Sequence, residues 1–292
     1  MCHGTTIERM KRTVALLFSA VSLMASMTFA QVAEGDQLWA ARAEGHQGGR
    51  ANGATIDRAI AAYERAIAAN PNDVEARWKL LRAIRFKGAY VAANNDQKKQ
   101  VYNVGRKAGD AAIALVDKQL AAKGAKPKGS EKDVATAARS IAGAGEVYFW
   151  DAVNWGEWAL AYGKMAAVKE GAADRIRREA TIAMLVDPRM EGGGGARVLG
   201  RLHDQTPRVP FITGWASSKE AVRFLSESNR ADPTNKITRV FLAEALVSND
   251  SDNKPRAVQM LKDVVSSPND PNFAVEDEAA QDDARALLAK WK

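Results

Sequence analysis

The run Ala59-Ile60-Ala61-Ala62-Tyr63-Glu64-Arg65-Ala66-Ile67-Ala68-Ala69-Asn70-Pro71 decides the fold class. Ala59, Ile60, Tyr63, Ala66 and Ile67 recur at spacings of three and four, which places them on one face of an amphipathic helix. Pro71, which has no backbone donor, ends it. Asn72-Asp73 then offers an N-cap to a second helix, whose apolar face carries Val74, Ala76, Leu80, Leu81 and Ile84 as far as Gly88. Two helices joined by a short proline turn make a hairpin.

The hairpin is written again further along. Ala221-Val222-Arg223-Phe224-Leu225-Ser226-Glu227-Ser228-Asn229-Arg230-Ala231-Asp232-Pro233 matches the first run nearly position for position. Asn235 then caps a helix bearing Ile237, Val240, Phe241, Ala243 and Leu246. A third copy runs from Arg175 to Asp187-Pro188, and a shorter one from Ala257 to Pro268. The four prolines are 117, 45 and 35 residues apart, intervals that bracket the roughly 34-residue period of tetratricopeptide repeats. Such a unit exposes an apolar stripe that only a neighbour covers, so units stack into a curved solenoid with a concave face.

Between Pro71 and Pro188, Gln97 to Leu120 reads as a helix of about 24 residues, residues 123–130 as an exposed connector, and Glu131 to Lys169 as a broken helical pair. The expected fold is all-α: an α-solenoid of degenerate tetratricopeptide-like helix hairpins with inserted helices, in a single domain over residues 31–292. Composition agrees. Of 292 residues, 46% are apolar and 26% charged, which suits a folded globular chain, and sustained apolar–polar alternation is scarce.

Residues 1–30 read as an export signal. Lys11 and Arg12 precede an apolar stretch from Val14 to Phe29, and Thr28-Phe29-Ala30 sets small side chains at the two positions a signal peptidase inspects. At about 16 residues that stretch is shorter than a stable membrane span. Met10 stands where an initiator is expected, so residues 1–9 read as an upstream start. The single cysteine, Cys2, falls in the removed part, which leaves the mature chain without disulfides, thiol catalysis or cysteine-ligated metal. The cleavage point lacks the cysteine of a lipoprotein, so the expectation is a periplasmic or secreted protein, soluble after cleavage and without a membrane span. Removal of the signal lowers the formal charge from +7 to +5, and no basic run of five appears, so nucleic acid is not implied.

Four further pieces carry a resemblance. They are the repeat ending Ala69-Asn70-Pro71; the segment from Val147 to Ala159, Val-Tyr-Phe-Trp-Asp-Ala-Val-Asn-Trp-Gly-Glu-Trp-Ala; the turn Asp187-Pro188 followed by Gly192 to Gly195 and Ala196-Arg197-Val198-Leu199-Gly200; and Lys219 through Asp232-Pro233 to Ala243. Together they resemble the T component associated with TRAP-type transporters, the TatT-like family of exported tetratricopeptide-fold proteins. The resemblance implies degenerate repeat hairpins around a pore or cleft, a trimer, a periplasmic solute-binding protein as partner, and no catalysis. The family's lipid-anchoring cysteine is missing here, and Trp155 makes the central segment richer in aromatics than usual.

Tyr148, Phe149, Trp150, Trp155, Trp158 and Tyr162 are six of the twenty aromatics and lie within fifteen residues. At helical spacing they occupy at least two faces. Either they pack between inserted helices, or some of them line a pocket or interface for a partner or an apolar small molecule, with Asn154 fixing orientation. Tyr148, Trp150, Asn154, Trp155 and Trp158 are the candidate contacts, and Arg239 joins them because its segment matches the family. Arg77, Arg82, Arg85, Lys98, Lys99, Arg175, Arg177 and Arg178 are solvated or meet an acidic partner.

Gly192 to Gly195 lacks the spacing of a phosphate loop and reads as a turn that lets two helices approach closely. With His46 and His203 alone in the mature chain, neither a metal site nor a Ser/His/Asp triad is expected. No cofactor is implied. The functional expectation is a non-enzymatic, exported binding protein, an accessory of a TRAP-type system; the alternative is a periplasmic scaffold for envelope assembly.

Overall fold

The computed structural model describes residues 30–209 and 213–291, and in it the turns at Pro71 and Pro233 each join two helices, the second opened by a side-chain cap from Asp73 or Asn235. Helix α1 covers residues 30–40. It is followed by α2 (Gly53–Ala69), α3 (Val74–Tyr90), α4 (Asn95–Ala122), α5 (Glu131–Ala138), α6 (Ala144–Tyr162) and α7 (Lys164–Lys169). Then come α8 (Ala172–Val186), α9 (Gly194–Gln205), α10 (Ser218–Ala231), α11 (Lys236–Asn249), α12 (Lys254–Ser266) and α13 (Ala274–Lys290). No strand occurs among the described residues, apart from one isolated bridge between Gln47 and Arg50.

Local chemistry sets the helix starts. Asp73 accepts a hydrogen bond from the Ala76 amide, Asn94 from Gln97, Ser130 from Asp133 and Asn235 from Thr238, each satisfying a first-turn donor. On α2 the buried residues are Ile56, Ala59, Ala62, Tyr63 and Ala66, while Ile60 and Ile67 are half-buried at the edges of the stripe. The expected helix over Gln97 to Leu120 extends to Asn95–Ala122. The expected pair over Glu131 to Lys169 is three helices, because left-handed glycines at Gly143 and Gly163 interrupt it.

Helices pack mainly against neighbours in chain order: α2 on α3, α3 on α4, α4 on α6, α6 on α8, and so on to α13 on α12. The fold is an all-α solenoid of hairpins, with α4 to α7 as the inserted helices. Its cores follow the hairpins: Ala221 and Leu225 of α10 meet Leu242, Ala245 and Leu246 of α11, and Val240, Leu261 and Ala284 join α11 to α12 and α13. At the Gly-rich turn, Gly192 and Gly193 adopt positive φ, Gly194 lies against the Phe149 ring, and Gly195 lies against the Met184 backbone. The turn is thus a close helix approach.

The solenoid closes on itself. Val275 of α13 belongs to the same core as Leu38 of α1 and Phe86 and Tyr90 of α3. Gly49 fits beside the backbone of Ala279, where any side chain would collide. Arg42, just past α1, donates from Nε and Nη2 to Glu276 Oε1 at 2.9 and 2.8 Å, and caps the contact at the Asn272 carbonyl. The export-signal reading falls on residues 1–30, of which 1–29 lie outside the described residues. None of the described helices is long and apolar enough to cross a membrane.

Candidate functional site

Helix α6 is apolar nearly all round because α3, α4, α8 and α9 cover it from different sides. This is what the aromatic density serves. Tyr148, Trp155 and Trp158 are 3%, 3% and 4% exposed, and Asn154 is fully buried. Asn154 Nδ2 donates to the carbonyls of Leu81 and Trp150 at 3.1 and 2.8 Å, which ties α6 to α3. Its Oδ1 fills a notch at Gly105 of α4, and one turn on, Asp151 fills a second notch at Gly109.

Trp155 lies between two guanidinium groups, Arg106 Cζ at 3.8 Å and Arg175 Cζ at 4.6 Å from its ring centre. Arg106 also sits 4.2 Å from Trp158, whose Nε1 donates to Asn103 Oδ1 at 2.9 Å and whose ring stacks on Tyr162 at 4.7 Å. Cations and rings alternate as a ladder between α4, α6 and α8, each rung contributing about 0.5–2 kcal/mol. Trp150 remains half-buried, edge-on to Phe149. Among the described residues the Trp150 and Trp155 indole nitrogens and the Tyr148 hydroxyl have no hydrogen-bond partner. Tyr148, Trp150, Asn154, Trp155 and Trp158 therefore share one helix but look in different directions. Arg239 is elsewhere, on α11, 3.6 Å from Asp263 of α12.

Under the ladder is a buried acid pair absent from the sequence reading. Arg175 bonds Asp151 Oδ2 through Nη2 at 2.5 Å, Glu179 Oε1 through Nε at 2.9 Å, and Asp110 Oδ1 through Nη1 at 2.7 Å. Asp151 is 0% and Glu179 6% exposed. One guanidinium cannot neutralise three carboxylates, and burial together with the Asp151 charge raises the Glu179 pKa well above the ordinary glutamate value. Asp151 is also raised by burial, against the pull of Arg175. Burial thus pushes Glu179 toward its protonated form. The pair is sealed in helix packing, so it holds structure rather than presenting an acid to a substrate.

A different arrangement lies where α3 meets α1 and the Gly-rich turn. Trp78, Arg82, Arg85 and Phe86 follow one face of α3 at spacings of three and four. Most of the cations there are satisfied. Arg85 pairs with Glu157 at 3.0 Å and bonds the Tyr90 hydroxyl, Arg42 holds Glu276, and Arg201 holds Glu244 at 2.7 Å. Arg82 differs. Its guanidinium is stacked between Trp39 at 4.0 Å and Trp78 at 4.9 Å, and among the described residues no carboxylate lies within ion-pair distance. Burial lowers its pKa, the cost of a cation held in place by rings.

Arg197 of α9 reaches the same space. It donates to the carbonyls of Glu191 and Gly192 and to the Thr238 hydroxyl, all neutral acceptors. Glu191, in the left-handed region at φ 49°, keeps a solvent-exposed surface, yet the surrounding walls desolvate its carboxyl and raise its pKa despite Arg82 and Arg197. Glu146, on the first turn of α6 one turn before Trp150, acts on the same carboxyl. Arg82, Arg197, Glu146 and Glu191 thus lie near one another without forming an ion pair among the described residues, with Arg42 beside Glu191 and the hydrogen-bonded Tyr63 and Asp36 beside Arg82. Arg82 and Trp78 were legible as residues four apart on one helix, but Trp39, Glu146, Glu191 and Arg197 come from four other segments or turns and carry no shared spacing.

A cleft of about 130 Å³ lies elsewhere, between α2, α3 and α4, lined by Glu64, Ile67, Arg77, Leu80 and Ala108. It is smaller than the roughly 300–1,000 Å³ usual for small-molecule pockets. Among the described residues no group of three or more His, Cys, Asp or Glu side chains is placed to hold a metal ion. The chain matches no family model, and no curated protein matches it.

Proposed function

We propose that this is an exported, non-catalytic binding protein that receives a charged small molecule or a partner's polar segment where α3 meets α1 and the Gly-rich turn. The observation that carries the reading is Arg82, a cation fixed between Trp39 and Trp78 and unmatched by any carboxylate at ion-pair distance among the described residues. Folded chains rarely keep a desolvated guanidinium unpaired unless something else completes it. Arg197, Glu146 and Glu191 around the same space favour a ligand carrying charge over the purely apolar one suggested by the aromatic run. Export rests on the pattern of residues 11–30. The resemblance to the TatT-like family supports a place beside a TRAP-type solute-binding protein.

Native mass spectrometry of the protein taken gently from its own cell envelope, beside Arg82→Gln, tests the reading. Bound mass or a co-purifying partner is expected with the wild type and reduced at least about tenfold in the variant, the scale of losing one charge-assisted contact. Equal retention by both chains, or no associated species in either, would remove Arg82 from any binding role.

A further inference from the structure

Among the described residues seven large hydrophobic side chains are well exposed, and four of them, Leu160, Tyr162, Met165 and Val168, fall within nine positions. Met165 is 85%, Leu160 63% and Val168 54% exposed. They sit on the end of α6 and on α7, a six-residue helix bracketed by Gly163 at φ 89° and Gly171 at φ 65°. A Cβ added at either glycine would meet nothing, so the segment stands clear of the body at both ends. Ala166 and Ala167 pack beneath it against the core of α6 and α8, which holds Met165 and Val168 outward.

The rim of this knob is basic. Asp96 is paired with Lys99, Glu170 with Arg106 and Asp174 with Arg177, which leaves Lys164 and Lys169, at the two ends of α7, without an ion-pair partner among the described residues. Lys99, paired with Asp96, lies 5.6 Å from the Tyr162 ring.

We propose that α7 and the end of α6 form a wedge that docks on an anionic phospholipid surface. The apolar tips enter the boundary between headgroups and acyl chains while the lysines extend to the phosphates. The lysines favour lipid over protein: Lys164 and Lys169 stand at the two ends of α7, beside the exposed apolar side chains, a residue type that protein interfaces are depleted in and anionic headgroups attract. The inference is independent of the Arg82 site.

The test is co-sedimentation of the full protein with phosphatidylcholine vesicles, with and without phosphatidylglycerol. Binding is expected to the anionic vesicles, weakened by salt. Met165→Asp with Val168→Asp is expected to reduce it by about tenfold or more while leaving helicity and melting temperature unchanged, and Lys164→Glu with Lys169→Glu to reduce it by about tenfold on anionic vesicles alone. Failure of the wild type to sediment, or undiminished binding by both variants, would overturn the proposal. So would a wild-type dimer in solution that the Met165 variant dissolves, which would assign the patch to a second copy of the chain.

Discussion

Arg42 and Glu276 stand 234 positions apart and meet at 2.8 Å, with the Arg42 side chain 6% exposed. This contact turns a row of hairpins into a closed figure. A linear solenoid loses its terminal units independently, because each touches only its neighbours. Here the last helix is held by the first ones.

Arg42→Ala is therefore expected to cost on the order of 3 kcal/mol, since it leaves Glu276 and the Asn272 carbonyl without their donor in a mostly buried setting. Urea unfolding followed by circular dichroism should show more than a lowered midpoint. An early phase should appear as α13 detaches before the rest. A shift below about 0.5 kcal/mol, within the range of an ordinary surface substitution, would mean that the closure rests on Val275 and Phe86 alone.

The buried acids give a pH dependence of unusual sign. Glu179 has a folded pKa raised above its unfolded value of 4.5, so the native state keeps a proton that the unfolded chain releases. Its contribution is fully present below about pH 4.5 and is lost as pH rises through the raised folded value. Glu179→Gln, which mimics the protonated acid, should flatten the fall in melting temperature as pH rises above about 4.5 and leave neutral stability equal or higher. Parallel melting curves for variant and wild type across that range would refute the raised Glu179 pKa.

Two glycines one helix apart should respond oppositely to the same change. A methyl group at Gly109 would overlap Asp151 Oδ1, so Gly109→Ala should force α4 and α6 apart at a cost of about 2 kcal/mol or more. At Gly156, on α6, a Cβ meets nothing. Gly156→Ala should stabilise by about 0.5–1 kcal/mol through helix propensity alone. Thermal unfolding of the two variants checks both signs.

Arg106→Ala removes the shared rung between Trp155 and Trp158 and should cost about 1–2 kcal/mol in cation–ring attraction and packing. Tryptophan emission should change with it, because two of the seven indoles lose a guanidinium from their faces. Unchanged emission with unchanged stability would dismiss the ladder.

The hairpins were legible in the sequence because a proline turn, a capping Asx and a three-four apolar rhythm are all local: α2, α3, α10 and α11 lie within a few residues of where Pro71 and Pro233 place them. The aromatic run was legible as density but not as direction. Trp155 and Trp158 needed Arg106 and Arg175 from other helices to explain them. Arg175 and Glu179 are four residues apart and readable as a helix pair, yet nothing local set Asp151 apart from Glu146 and Glu157, the other acids of the same helix. The Arg82 site was the least visible. Trp39, Arg82, Glu191 and Arg197 converge through the curvature of the whole solenoid, a quantity that no window of sequence contains.

Gly105 with Asn154, and Gly109 with Asp151, fit as tooth and notch between α4 and α6. Neither member of such a couple is free to drift alone. Across evolutionary lineages that keep this shape, a bulkier residue at position 109 should arrive together with a smaller one at 151, and likewise for 105 and 154. Compensated exchange at those four sites is the mark the interlock would leave in inheritance.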